Sequence, residues 1–140
     1  MHRATVLTDA SFCPKTGAAG WACWIASDRF RSKQYYGKFR EPVENAFDAE
    51  LQAVINGMYY ARQNDCSILL LQTDCKEVFE SKKPTVRGLL TEWMDKLEVN
   101  VTFRHVKGHE DSNKGGRYYC NNWCDKFAKK AMNEMRKELS

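Results

Sequence analysis

The spacing of hydrophobic and polar positions changes period along this chain, and the changes outline its elements. Thr5-Val6-Leu7-Thr8 is a short β-prone run ending at Asp9. Pro14, Gly17 and Gly20 then punctuate a turn into Gly20-Trp21-Ala22-Cys23-Trp24-Ile25, which predicts a hairpin. Polar Ser27-Asp28-Arg29 makes a second turn, and Lys33 to Phe39, carrying Tyr35 and Tyr36, supplies a third strand before Pro42. From Ala46 the period becomes helical: Phe47, Leu51, Val54, Met58 and Ala61 share one face until Gln63-Asn64-Asp65. Ser67 to Thr73 is a continuous apolar run, the mark of a parallel strand buried on both faces, and it is expected to pair beside the first strand. A short helix around Cys75 to Ser81, another from about Val86 to Leu97 after Pro84, a strand through Val99, Val101 and Phe103, and a last helix from Asn121 to Glu138 complete the chain.

Five strands interleaved with helices predict an α/β fold, with a three-strand antiparallel meander joined to parallel strands and helices packed on the sheet. At 140 residues the expectation is one domain over 1–140 with one site. A hydrophobic share of 43% with 29% charged residues is globular usage. The longest apolar runs, such as Ile68-Leu69-Leu70-Leu71, fall far short of a membrane span, and Met1-His2-Arg3 opens no signal-peptide core. A soluble, cytoplasmic protein and no membrane partner are therefore expected. In that compartment the six cysteines are expected to be free thiols. The formal charge of +4 is compatible with a polyanionic partner without identifying one.

Four acids stand where the pattern does not ask for them. Glu50 lies in the apolar stripe of its helix, and Asp125 falls on one row with Ala128, Met132, Met135 and Leu139 of the last helix. Asp9 and Asp74 end the two strands expected at the centre of the sheet, where open α/β sheets place their ligand sites. Taken singly, each has a local explanation: an Asx turn at Asp9, an N-cap at Asp74, a first-turn acid at Asp125. Taken together they are expected to converge on one end of the sheet. Four close carboxylates repel unless some are protonated or hard divalent cations sit among them. Oxygen donors select Mg²⁺ or Mn²⁺, and two such ions on shared carboxylates suit phosphoryl-transfer chemistry.

In this order and on these elements the acids resemble those of the type I ribonuclease H family, and the likeness spans essentially the whole chain. Thr8-Asp9-Ala10-Ser11 with Gly20-Trp21-Ala22 is similar to the family's first strand and hairpin, and Ala49-Glu50-Leu51 with Ala53 to its glutamate helix. Thr73-Asp74-Cys75 resembles its third motif. Val106-Lys107-Gly108-His109, followed by Asn121-Asn122-Trp123-Cys124-Asp125-Lys126-Phe127-Ala128, resembles its histidine loop and final aspartate. The resemblance implies a ribonuclease H-like five-stranded sheet and a two-metal endonuclease. Asp9 would bridge both ions, Glu50 and Asp74 would share one, Asp125 would hold the other, and His109 would be a mobile auxiliary. The implied substrate is the RNA strand of an RNA–DNA hybrid, read by backbone shape and 2′-hydroxyls and cut to 5′-phosphate and 3′-hydroxyl ends, by a monomer.

The chain also departs from the family. Ala10 stands where many relatives have glycine, the segment from His109 to Asp125 is longer than usual, and the span from Asp74 to His109 leaves no room for an extra basic helix. Ser11, Lys107, Lys114, Arg117 and Asn121 are candidate substrate contacts, with Lys82, Lys83 and Arg87 as further phosphate candidates. His105 and His109 with Cys120 and Cys124 match zinc ligands by residue type, against the simpler reading of a strand-end histidine and small core cysteines. Trp21, Trp24, Tyr35 and Tyr36 read as sheet packing. Two other functions stay open: a nuclease of the same superfamily acting on DNA junctions or ends, and a non-catalytic hybrid-binding module.

Overall fold

The computed structural model describes residues 2–106 and 116–139, the side chains of 116–118 excepted. The elements are β1 (His2–Phe12), β2 (Ala19–Ser27), β3 (Phe30–Lys38), α1 (Ala46–Gln63), β4 (Cys66–Thr73), α2 (Glu77–Glu80), α3 (Pro84–Leu97), β5 (Asn100–His105) and α4 (Gly116–Leu139). They form one five-stranded sheet in the order β3-β2-β1-β4-β5. β1, β2 and β3 are antiparallel neighbours, whereas β4 runs parallel to both β1 and β5. This is the mixed α/β sheet that the strand pattern implies.

The two faces of the sheet pack against different helices. Val6, Cys23, Ile25 and Leu71 form one core with Val54 and Met58 of α1. Leu7 and Ala22, of the opposite parity, pack with Cys124 and Ala128 of α4. The apolar stripe expected on α1 is the buried one, with Leu51, Val54, Met58 and Ala61 nearly or fully removed from solvent. Asn45 caps that helix, its side-chain oxygen accepting from the Asp48 N–H at 2.8 Å. Aromatic residues follow the same division: Trp21 stacks on Tyr60 and Tyr35 on Tyr60 on one side, while Trp24 meets Trp123, and Tyr36 meets Phe127, on the other. The packing role expected for the four sheet aromatics holds.

Several boundaries differ from the sequence expectation. β1 continues past Asp9 to Phe12, because β2 pairs with it through Phe12↔Ala19. Asp9 is thus inside a strand, although it lies beyond Leu7↔Gln72, the last pair between β1 and β4. β2 begins at Ala19, one residue before the expected start at Gly20, which lies opposite Ser11. A Cβ there would come within 2.3 Å of the Ala128 carbonyl oxygen and 2.5 Å of the Met132 nitrogen, so the missing side chain is what lets α4 lie on β2. β3 begins at Phe30 and closes before Phe39, since the hairpin turn takes only Asp28 and Arg29. α3 starts at Pro84, which sits in its first turn where no N–H is needed. α4 starts at Gly116, a turn earlier than the periodicity indicates, with Tyr119 already packed edge-on against Trp24. Its apolar row ends at Met135, because Leu139 is exposed. α3 ends at Leu97 and β5 begins at Asn100, so no extra helix stands between them. No helix among the described residues is long and apolar enough to cross a membrane, and all six cysteines are free thiols.

Candidate active site

At the end of the sheet where β4 stops and β1 continues, three acids come together. Asp9 pairs with Ala22 and so has the parity of the α4 face. Asp74 is the first residue after β4. Glu50 reaches them from α1, its Oε1 accepting the Ala10 N–H at 2.7 Å; that N–H is shared with Asp9 Oδ1 at 2.9 Å. Each acid offers an oxygen, and these oxygens all lie within 4.8 Å of one another. α1 can come this close because Gly57 has no side chain: a Cβ there would sit 2.6 Å from Thr8 Cγ2 and 3.1 Å from Val6 Cγ1. The Thr8 hydroxyl, one residue before Asp9 on β1, is buried with no hydrogen-bond partner among the described residues.

Crowding and burial dominate the electrostatics. Burial first, then the charges of Asp74 and Asp125, push Asp9 up from 3.8 to about 8. Burial, followed by the charges of Asp9 and Asp74, raises Glu50 from 4.5 to about 10. Without a cation the cluster therefore retains protons at neutral pH, which is the behaviour of a carboxylate set suited to a hard divalent ion. Cys75, next in sequence, is held as a thiol: burial, then the Glu50 charge, raise it to about 11.

Asp125 stands apart from this trio. It lies near enough to raise Asp9 by its charge, yet its Oδ2 is 3.2 Å from Lys129 Nζ, one helical turn along α4, and its side chain is 29% exposed. The four acids thus share one end of the sheet, three in mutual reach and one on the flank.

The remaining candidates are distributed as follows. Ser11 is half-buried on β1 opposite Gly20, and Asn121 is half-buried near the start of α4. Arg117 belongs to α4, its side chain outside the description, and Lys107, His109 and Lys114 lie outside the described residues. Of the zinc candidates, His105 uses its Nε2 on the Asp74 carbonyl at 3.1 Å, and Cys124 is fully buried with its thiol towards the Leu7 carbonyl. Among the described residues the one group with metal-ligand spacing is Asp9, Glu50 and Asp74, so His105, Cys120 and Cys124 are not gathered together. Sequence reasoning missed Lys129, Gly57 and the Ala10 N–H. A lysine four residues after Asp125 is a legible ion-pair signal, and a glycine inside a helix is a legible packing signal. The Ala10 N–H follows only from the pairing of β1.

Comparison with known proteins agrees with this fold. A family model described as reverse transcriptase-like matches residues 7–131, and the chain belongs to that family. Its fold is that of type I ribonuclease H, in a compact form with no inserted basic helix among the described residues. The N-terminal RNase H domain of rv2228c from Mycobacterium tuberculosis, solved as a fusion with maltose-binding protein, superposes with a TM-score of 0.73 at 14% identity, covering 100% of both chains. RNase H1 from the halophilic archaeon Halobacterium salinarum gives 0.70 at 15% identity, over 94% of this chain and 98% of that one. LC11-RNase H1 in complex with an RNA/DNA hybrid gives 0.68 at 16% identity, over 98% and 99%. Comparison with curated protein sequences gives no match.

Proposed function

We propose that this chain is a metal-dependent endonuclease that hydrolyses the RNA strand of RNA–DNA hybrids and leaves 5′-phosphate and 3′-hydroxyl ends. The observation that carries the reading is the half-buried trio of Asp9, Glu50 and Asp74, with oxygens within 4.8 Å of one another at the end of the sheet. The donor set is all carboxylate and oversupplied with negative charge, which fits Mg²⁺, or Mn²⁺ in its place. Asp9, Glu50, Asp74 and Asp125 are the residues to hold two such ions. Bound there, the ions supply an activated water and charge stabilisation at the leaving oxygen. The protein's own part is positioning: the Ala10 N–H fixes Glu50 and Asp9 relative to each other, and α4 brings Asp125 to their flank. His109 serves as a proton carrier beside the ions, helping turnover without binding either. Ser11, Lys107, Lys114, Arg117 and Asn121 contact the substrate, mainly its phosphates. The chain works as one domain over 1–140, as a monomer in the cytoplasm. That one structural relative is in complex with an RNA/DNA hybrid supports the choice of substrate.

The test is one incubation of labelled RNA–DNA hybrid, double-stranded RNA and double-stranded DNA, each with Mg²⁺ or with chelator. Cleavage of the hybrid alone, and only with metal, is expected. Full activity in chelator overturns the metal reading. Comparable cutting of all-DNA duplex makes the protein a DNA nuclease of the same superfamily, and binding without cutting makes it a hybrid-binding module.

A further inference from the structure

His105 is singled out by the sequence as a zinc candidate, and the structure puts its ring to another use. Thr73↔His105 is the last register pair between β4 and β5. Beyond it the Asp74–Cys75 peptide leaves the sheet, and two side chains take over from the ladder. The Asp74 carbonyl oxygen lies 3.1 Å from His105 Nε2; a carbonyl can only accept, so Nε2 carries the proton. The Cys75 N–H, the other polar end of the same peptide group, donates to Thr73 Oγ1 at 3.1 Å. Thr73 is itself fully buried, and its carbonyl accepts from the Val106 N–H at 3.0 Å. One peptide plane is therefore held at both ends. Since a peptide is rigid, fixing both ends fixes the backbone torsions at Asp74 and with them the direction of its Cα–Cβ bond.

We propose that His105 is a positioning residue for Asp74: by clamping the Asp74–Cys75 peptide against Thr73, it aims the Asp74 carboxylate into the metal site. The inference rests on the reading of Asp9, Glu50 and Asp74 as metal ligands. A partner that orients a ligand in this way contributes to metal affinity although it never touches the ion. His105 is exposed, so its ring can be removed without opening the core.

The test titrates the free, metal-stripped protein with Mg²⁺ by calorimetry, without substrate, in the parent and in His105→Ala, His105→Gln and Asp74→Asn. His105→Ala is expected to weaken Mg²⁺ binding about threefold to tenfold, the range of one lost hydrogen bond. His105→Gln, whose amide nitrogen can replace Nε2, is expected to restore it. In cleavage assays the loss in His105→Ala is expected in kcat at limiting Mg²⁺, recovering at saturating Mg²⁺, with KM for hybrid unchanged; a purely structural role would not give that pattern. Parental Mg²⁺ affinity in a folded His105→Ala overturns the proposal, as does a His105→Gln protein that binds no better than His105→Ala. Should His105→Ala not fold, a weakened His105→Gln decides against it. Undiminished Mg²⁺ binding in Asp74→Asn overturns the site reading and the inference with it, whereas loss in Asp74→Asn beside an unaffected His105→Ala overturns the inference alone.

Discussion

α1 and α4 each bring an acid to β1 from opposite faces of the sheet, and the two deliveries differ in kind. Glu50 arrives from α1 already engaged: it accepts a backbone N–H at 2.7 Å and sits within reach of Asp9 and Asp74. Asp125 arrives from α4 with its carboxylate on Lys129 and partly in solvent. Both helices are admitted by a glycine in close contact, but Gly57 of α1 meets side chains of β1, whereas Gly20 of β2 meets the backbone of α4. The difference separates a fixed half of the site, set by burial and backbone hydrogen bonds, from an adjustable half held by a surface ion pair.

Substitution of the acids is the harshest way to break this comparison. Asp9→Asn, which removes the charge nearest to both halves while keeping size, is expected to abolish hybrid cleavage and to remain folded. Glu50→Gln and Asp125→Asn separate the halves: calorimetry is expected to show Mg²⁺ binding to the free protein lost in Glu50→Gln and retained in Asp125→Asn, although cleavage falls in both. Equal loss of binding in the two would erase the distinction between fixed and adjustable acids.

The glycine contacts give the next largest effect, read as stability. Gly20→Ala drives a methyl into the α4 backbone, which cannot turn aside, and a loss on the order of 3 kcal/mol is expected in denaturant unfolding. Gly57→Ala presses on a Thr8 methyl and gains roughly 1 kcal/mol of helix propensity in return, so its loss is expected to be smaller. The reverse ranking would show that α1, not α4, is the rigidly docked helix.

Acidity of the fixed half predicts a pH dependence with a definite sign. The folded, metal-free protein holds protons on Asp9 up to about pH 8 and on Glu50 up to about pH 10, against ordinary values of 3.8 and 4.5. Between those limits the folded state binds more protons than the unfolded one, so stability is greatest in acid and falls as pH rises through the window. Melting in chelator is therefore expected to move to lower temperature from pH 5 to pH 9. The slope should flatten in Asp9→Asn, and Mg²⁺ binding should release protons. A melting temperature that rises over this range in chelator would contradict protonated Asp9 and Glu50.

How much of this was legible beforehand depends on the range of the interaction. Glu50 and Asp74 could be read from the chain because their signals are local, an acid in a helical apolar stripe and an acid at the end of an apolar run. Asp9 could be found but its strand not fully traced: the β-prone run reads as ending there, and only pairing with β2 carries the strand on to Phe12. Gly20 could be placed at the head of its strand, but not its part in docking α4, since a glycine that ends a turn and a glycine that admits a helix look alike without the helix. The meeting of His105 with the Asp74 carbonyl depends on the register of β4 and β5, which no local pattern states.

The mildest test concerns the adjustable half. Lys129 is 55% exposed and pairs with Asp125 across one helical turn. Such pairs contribute about 0.3–0.5 kcal/mol in water, so Lys129→Ala is expected to leave the melting temperature nearly unchanged. Its consequence lies in competition: while the ammonium sits on Asp125, an ion drawn to that carboxylate has to displace it. Removing the lysine is therefore expected to lower the Mg²⁺ concentration for half-maximal hybrid cleavage about twofold, the equivalent of that same small pair energy. Lys129→Arg, which keeps the charge, should behave like the parent. If Lys129→Ala instead raises the KM for hybrid at saturating Mg²⁺, the lysine belongs to the substrate's phosphates rather than to Asp125, and the flank of the site is adjustable because it waits for nucleic acid rather than for metal.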